Sequence, residues 1–425
     1  MNSTQILVEP EAVEGGGASR DGESAGHPRR WWVLAVLCLS LFLVVVDNTI
    51  VNVALPTLSA DLDASTTQLQ WIVDAYTLVF ASLLLAFGHF GDRFGRRGAL
   101  ALGLVLFGAT SALAAFATSA GALIGVRALM GVGAALVFPA TLAILMNVFT
   151  DKKQRAAAIG IWSGATGMAV AAGPVAGGFL LEHFWWGSVF LVNVPIVVLA
   201  VVAVMAVVPT SKDPNSGRLD WFGLVLSVAS IGLLVWSIIE GPRLGWTSPA
   251  IVVGGVSAIA LLATFIWWER RVSHPLLDVS LFGNARFSAA SVTIATAFFG
   301  LFGFIFMITQ YMQLVLGYSP LEAGLRTVPF AVATGVCSPL SIALMHRFGS
   351  KLVVFGGLAL MSIGFVMASR LQADSSYLSD VLPSMIVMAC GLGLTTSPAT
   401  EAIMGALPVD KAGVGSAVND TTREL

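Results

Sequence analysis

Apolar runs of about 20 residues, separated by short polar clusters, recur from residue 31 onward. Such a run crosses a hydrocarbon core at 1.5 Å per helical residue. Inside lipid the backbone must satisfy its own polar groups, so a spanning run is either a helix or a strand of a closed barrel. Barrel strands alternate over segments of about ten residues, and these runs do not alternate. Composition agrees: 56% of the 425 residues are hydrophobic and 11% charged, against about 45–50% and about 25% in soluble domains. The mean hydropathy is +0.86. The sequence predicts an all-α polytopic membrane protein.

Twelve spans are expected, at 31–56, 68–88, 98–118, 121–148, 156–181, 187–208, 219–239, 249–268, 287–310, 323–345, 351–370 and 381–404. Residues 1–30 have no apolar stretch for a cleavable signal and are too polar to fold alone, so a disordered tail is expected there. With this count Arg29, Arg30, Arg93, Arg96, Arg97, Lys152, Lys153, Arg155, Lys212, Arg218, Arg270, Arg271, Arg286, Arg347, Lys351 and Lys411 fall on one side. The other side holds only Arg243, Arg326 and Arg370. The positive-inside rule makes the basic side and the amino terminus cytoplasmic. Cys38, Cys337 and Cys390 all lie in apolar spans, which argues against a disulfide framework or a metal site.

Part of the chain repeats. "HRFGSKLVVFGGLALM" from His346 echoes "DRFGRRGALALGLVLF" from Asp92, 254 residues apart (346 − 92). "VDKAGVGSA" at Val409 echoes "TDKKQRAAAIG" at Thr150, 259 apart (409 − 150). Two echoes in order at nearly one offset make spans 9–12 the counterparts of spans 1–4, the kind of internal repeat from which many secondary transporters are built. The expected organisation is a six-helix bundle at 31–208, an inserted helix pair with linkers at 209–285, and a partial second bundle at 286–425, four helices and the start of a fifth. The offset puts the counterparts of spans 5 and 6 from about residue 412 onward. Two final helices are therefore expected to be absent from this chain; the alternative, an ordinary twelve-helix protein split six and six with a short tail, would leave both echoes unexplained.

Four stretches carry a resemblance. "GDRFGRR" between spans 2 and 3 is similar to the loop motif of the major facilitator superfamily. "VDNTIVNVALPTL" in span 1, "RALMGVGAALVFPA" in span 4 and "GMAVAAGPVAGGFL" in span 5 resemble the motifs of its fourteen-helix proton-coupled drug antiporters. The resemblance runs from about residue 31 to Leu425, and the Gly-Pro motif points to the export branch. It implies two six-helix bundles plus an inserted pair, alternating access to a midplane cavity, and exchange of protons for a hydrophobic or cationic compound. It also implies that the loop latches the halves together while the outward side is open, that Arg127 takes part in proton coupling, and that Gly173, Pro174, Gly177 and Gly178 form a bend that closes the pathway to leakage. Met130 stands where the family commonly has glutamine, leaving Arg127 one polar neighbour short, and Ala169 replaces a glycine of the usual spacing.

The residues themselves support parts of this reading. Arg93, Arg96 and Arg97 help hold the loop on the cytoplasmic side, but that rule gives Asp92 no role. A carboxylate at a helix end can pair with an arginine in one conformation only, while Gly88, Gly91, Gly95 and Gly98 allow a tight turn and close helix approach. Asp47 lies deep in span 1, where an ionisable group usually marks an ion or proton route; a structural network with Asn48 or Asn52 is the plainer alternative. Asp74, near the outer end of span 2, is a second proton candidate, and Arg127 in span 4 needs a carboxylate or several carbonyls. Glycines at three- and four-residue spacing around Pro174 let helices touch along their backbones. Trp71, Tyr76, Phe138, Trp162 and Phe306 could offer aromatic surface to a lipophilic cation, with Asn52 a further contact and Glu401 an anionic partner.

No HExxH, no His or Cys cluster and no P-loop lysine motif is present in the sequence, which disfavours an enzyme or an ATP-driven pump. The expectation is a transporter without cofactor, driven by the proton gradient. Its partners would be lipid, protons and a small substrate, not nucleic acid, and it would act as a monomer in the bacterial inner membrane. A proton-coupled importer and a non-transporting sensor or assembly partner are the alternative readings.

Overall fold

The computed structural model describes residues 28–212, 220–273, 275–405 and 421–423. Most of the expected tail, the basic residues Arg218 and Lys411, and the second echo at Val409 lie outside these residues. Among the described residues there are no strands. The helices are α1 (Arg30–Asp61), α2 (Thr66–Phe94), α3 (Arg96–Ala115), α4 (Ala120–Val148), α5 (Lys152–His183), the short α6 (Ser188–Leu191) and α7 (Asn193–Val207). They are followed by α8 (Trp221–Leu244), α9 (Pro249–Glu269), α10 (Ala285–Gln310), α11 (Pro320–Phe348), α12 (Ser350–Ala368) and α13 (Leu382–Gly405). Eleven spans of the described residues are long and apolar enough to cross a membrane as they stand, α6 and α7 together forming one; α2, bent by 53° at residues 84–86, makes twelve. Each predicted span has its helix. The bend was not anticipated; it falls between Ser82 and Gly88, the latter touching Pro139 of α4.

The helix ends follow from local chemistry. Ser65 and Gln68 form a capping box at the start of α2, and Ser319 and Glu322 form one at the start of α11. Gly95 (φ 119°) closes α2 and Gly349 (φ 82°) closes α11, both in backbone conformations that side-chain-bearing residues rarely adopt. The boundaries carry the sequence offset: 320 − 66, 348 − 94 and 350 − 96 are each 254. Packing repeats as well. Gly103 lets α3 approach the carbonyl of Gly133 in α4, and Gly357, 254 residues on, lets α12 approach the carbonyl of Gly391 in α13.

The first half is built around a continuous core that includes Leu37, Leu41, Ile50, Leu55, Phe107, Phe149 and Phe190, all buried. A second core joins Phe304, Met312, Met385 and Met388, and a third joins Phe287, Ile294 and Ile403. The inserted helices α8 and α9 pack on each other and α8 also lies against α2, while Val225, Val252, Val256 and Ile259 are exposed, as lipid-facing side chains are.

The two halves meet near the side opposite the basic connections. A methyl on Gly178 of α5 would strike the Pro320 carbonyl and the Leu321 Cα of α11, both at 2.5 Å, and one on Gly324 would strike the Pro174 carbonyl. Gln313, just after α10, donates its amide to the Val53 carbonyl of α1 at 3.0 Å.

Candidate functional site

Asp47, Arg127, Asn193, Ser111 and Tyr76 form one buried network inside the first half. Arg127 of α4 donates Nη1 to Asp47 Oδ2 of α1 at 2.5 Å, and neither side chain has any solvent exposure. Arg127 Nε donates to the Ile72 carbonyl of α2 at 3.0 Å, and the guanidinium lies 4.2 Å from the centre of the Tyr76 ring. Asn193, the first residue of α7, donates to Asp47 Oδ1 at 2.8 Å and to Ser111 Oγ at 3.0 Å, and Ser111 in turn donates to the Phe190 carbonyl at 2.8 Å. Tyr76 donates its hydroxyl to the Val44 carbonyl at 3.2 Å. Five helical segments thus converge on one ion pair. Arg127 Nη2 is buried without an acceptor, in keeping with the apolar Met130 one turn on, which is itself buried.

Asn193 and Ser111 were not anticipated. The signal for Asn193 was a single amide within "FLVNVPIVVL", a run otherwise free of side-chain hydrogen-bonding groups. Asn52, expected near Asp47, donates instead to the Asn48 carbonyl in its own helix and lines the seam between the halves. Asp74 is partly buried in α2 and is not brought to the Asp47 network.

Residues 88–98 are not an extended loop. Asp92 and Arg93 belong to α2, Arg96 and Arg97 open α3, and Gly95 alone links them. Asp92 Oδ1 accepts from Arg96 Nε at 2.7 Å across this turn. The Arg96 backbone N–H donates to the Ser211 carbonyl at 2.9 Å, its Nη1 to Ala143 at 3.4 Å, and Arg97 Nη1 to Val208 at 3.4 Å. Arg93 lies over Phe94 at 5.5 Å, as Arg347 lies over Phe348 at 5.4 Å in the repeat. Among the described residues, these hydrogen-bond partners of Asp92, Arg96 and Arg97 lie in the first half or in the segment following α7, so these bonds tie that half together at its basic side. Only Gly95 requires glycine through its backbone; Gly98 has open space around its Cα.

The Gly-Pro motif of α5 sits where three helices meet. Gly173 faces Thr49 and Gly177 faces Ile50 of α1, while Gly178 and the Pro174 carbonyl face α11. The helix is continuous from Lys152 to His183 through Pro174, so close contact rather than a break is what the motif provides here.

The aromatic candidates do not converge on one surface. Trp71 donates its indole N–H to Glu240 Oε1 of α8 at 3.2 Å, joining α2 to the inserted pair, and Glu240 Oε2 accepts from Arg243 at 2.7 Å. Tyr76, Phe80, Phe138 and Trp162 form a run of ring contacts, from 6.1 Å to 5.5 Å between centroids, and Trp162 donates to Thr141 at 3.2 Å. Tyr76 is sealed beneath Arg127. Phe306 packs against the core of the first half, and Glu401 is exposed near the end of α13. The seam itself is lined by Thr49, Asn52, Pro174, Thr309, Phe304 and Phe330, the last two stacked at 6.2 Å. None of its lining residues is charged.

Comparisons agree with this architecture. The family model described as Major Facilitator Superfamily matches residues 37–243 and again 218–425. The chain is 39% identical over 397 residues to "Multidrug efflux pump LfrA" of Mycolicibacterium smegmatis, covering 93% of this chain and 78% of that protein. It is 36% identical to "Methyl viologen resistance protein SmvA" of Salmonella typhimurium (93% and 80%) and 34% identical to "Puromycin resistance protein pur8" of Streptomyces alboniger (94% and 80%). Among solved structures, a peptide transporter POT in complex with sulfate superposes with a TM-score of 0.68 at 15% identity (92% of this chain, 86% of that one). A D-xylose-proton symporter gives 0.66, also at 15% (93% and 87%). At that identity these two establish the fold alone. The repeated halves and the sequence matches lead to one conclusion: this chain is a multi-pass membrane protein belonging to the major facilitator superfamily of transporters.

Proposed function

We propose that this protein is a secondary active exporter that moves hydrophobic or cationic drugs or metabolites out of the cell in exchange for protons, by alternating access. The observation that carries the reading is the Asp47–Arg127 pair, a carboxylate held at membrane depth by a cation and an amide inside one half. Such a group is costly and is the kind of site at which protons are exchanged in transporters. Relatives named for efflux of, or resistance to, several drugs support export as the direction. The uncharged, partly aromatic seam suits an apolar substrate body. The halves touch near the side opposite the basic connections, the outer side under the positive-inside reading, so this conformation is closed outward. The amino terminus is then cytoplasmic, the membrane is the bacterial inner membrane, and the working unit is one chain.

The test is proton-driven uptake of a lipophilic fluorescent cation into everted vesicles containing this chain or its Asp47→Asn variant. Uptake that collapses with the proton gradient and is absent in the variant is expected. Uptake indifferent to the gradient overturns proton coupling, and accumulation in the opposite direction overturns export.

A further inference from the structure

The sequence sets Cys337 and Cys390 in separate apolar spans, and the structure brings them together. Helices α11 and α13 cross at Gly393 of α13, where a methyl would strike the Cys337 Cβ at 2.8 Å and the Thr334 carbonyl at 3.0 Å. One turn before Gly393 stands Cys390, on the same side of α13. Thr334, one turn before Cys337, donates its hydroxyl to the Ala389 carbonyl at 3.4 Å, beside Cys390. These contacts fix the register of the two helices, and the Cys337 and Cys390 thiols share a hydrogen bond across it. Neither cysteine is in a disulfide, and both are partly exposed. Cys38 lies on α1 in the first half, which has no second cysteine.

Two adjacent thiols offer a chemistry that one does not. A centre with two sulfur-binding positions is held twice, and its second bond forms within the protein, so the pair retains what a single cysteine releases. Both thiols lie in membrane-spanning helices, which narrows the choice of centre. A monovalent soft metal between two thiolates carries a net negative charge, which is costly there. Zinc takes four ligands, and among the described residues no group of three ligating side chains offers a metal site. Divalent mercury gives a neutral product but sets its two sulfurs on opposite sides of the metal. Trivalent arsenic bearing one organic substituent is also neutral, and its pyramidal geometry takes both sulfurs on one side, where thiols already in hydrogen-bond contact are placed.

We propose that Cys337 and Cys390 form a binding site for a monosubstituted trivalent arsenical, which joins α11 to α13 inside the second half. The arsenical enters in its dihydroxy form: two As–O bonds and two S–H bonds break, two As–S bonds form, and two molecules of water leave. Arsenic stays trivalent, so no oxidant or reductant is consumed. The site is separate from the Asp47 network of the first half and holds whatever the chain transports.

The experiment treats the reduced, folded chain in detergent with phenylarsine oxide, which is the dihydroxy arsenical in water. The adduct is read by intact mass before and after a wash with excess monothiol, for the wild type, Cys38→Ser, Cys337→Ser and Cys390→Ser. One adduct is expected on the wild type and on Cys38→Ser, removed by a dithiol but surviving the monothiol about 100-fold longer than on either of the other two variants. A wild-type adduct that the monothiol strips as fast as from Cys337→Ser or Cys390→Ser overturns the site, and so does the absence of any adduct. Should either of those variants fail to accumulate, the wild type is treated with the arsenical, unfolded, alkylated with a maleimide and mapped by mass spectrometry. Protection of Cys337 and Cys390 together, with Cys38 alkylated, supports the site, and alkylation of either member of the pair overturns it.

Discussion

Asn193 donates its side-chain amide to Asp47 Oδ1 at 2.8 Å, linking the start of α7 to the middle of α1 across 146 residues of chain. Asp47 is therefore held on both oxygens, by Arg127 on one and Asn193 on the other. Asn193→Leu removes the side-chain donor that Oδ1 has among the described residues and leaves a buried anionic oxygen unsatisfied. A loss of about 1–3 kcal/mol is expected, read as a lower unfolding midpoint in detergent. An unchanged midpoint would mean that the amide is dispensable.

The Asp47–Arg127 pair calls for a double-mutant cycle. Removing either partner alone strands a fully buried charge, so Arg127→Met is expected to cost about 3–5 kcal/mol. Asp47→Leu combined with Arg127→Met should cost much less than the sum of the single changes, because no charge is stranded. Additive losses would show that the two side chains are energetically independent despite their geometry.

At the seam, Gly324→Ala puts a methyl against the Pro174 carbonyl and Gly178→Ala puts one against α11. Each should favour the conformation in which the halves part on that side. An Asn52→Cys reporter, placed on the seam, should then react several-fold faster with a membrane-impermeant maleimide added from that side. Gln313→Ala, which removes the bond to the Val53 carbonyl, should act in the same direction. Equal labelling rates in all backgrounds would count against the seam as a gate.

Glycines of the basic-side motif should separate sharply on substitution. Gly95→Ala and Gly349→Ala place a side chain at φ 119° and 82°, at a cost of about 1–3 kcal/mol each. Gly98→Ala has open space within α3 and should be neutral or stabilise by up to about 1 kcal/mol through helix propensity. Midpoints of the three variants in detergent decide this, and a destabilised Gly98→Ala would contradict it.

The helices were legible because the membrane permits few other answers. Length and apolarity locate each span, while the starts at Thr66 and Pro320, set by the capping residues Ser65 and Ser319, fall two or three residues ahead of the expected 68 and 323. The repeat was legible because the Arg-Phe-Gly stretches recur at one offset, and the helix boundaries keep it. Contacts between distant residues were not legible. Trp71 meets Glu240 across 169 residues and Asn193 meets Ser111 across 82, and no local periodicity encodes such a meeting. The charged stretch at 88–98 was read as a loop because its polarity outweighed its helical pattern. Both helices in fact run into it, ending at the one residue whose backbone must turn.

That one-residue joint has a mechanical meaning. With only Gly95 between α2 and α3, and only Gly349 between α11 and α12, neither pair has slack at its basic end. A tilt of α2 is passed directly to α3, as a crank passes rotation to the arm fixed on it. The pair bond of Asp92 and Arg96 stiffens this joint in the first half, whereas His346 and Ser350 occupy the matching places in the second (92 + 254 and 96 + 254). The two halves thus share a hinge geometry, while among the described residues the ion-pair brace is found in the first half alone.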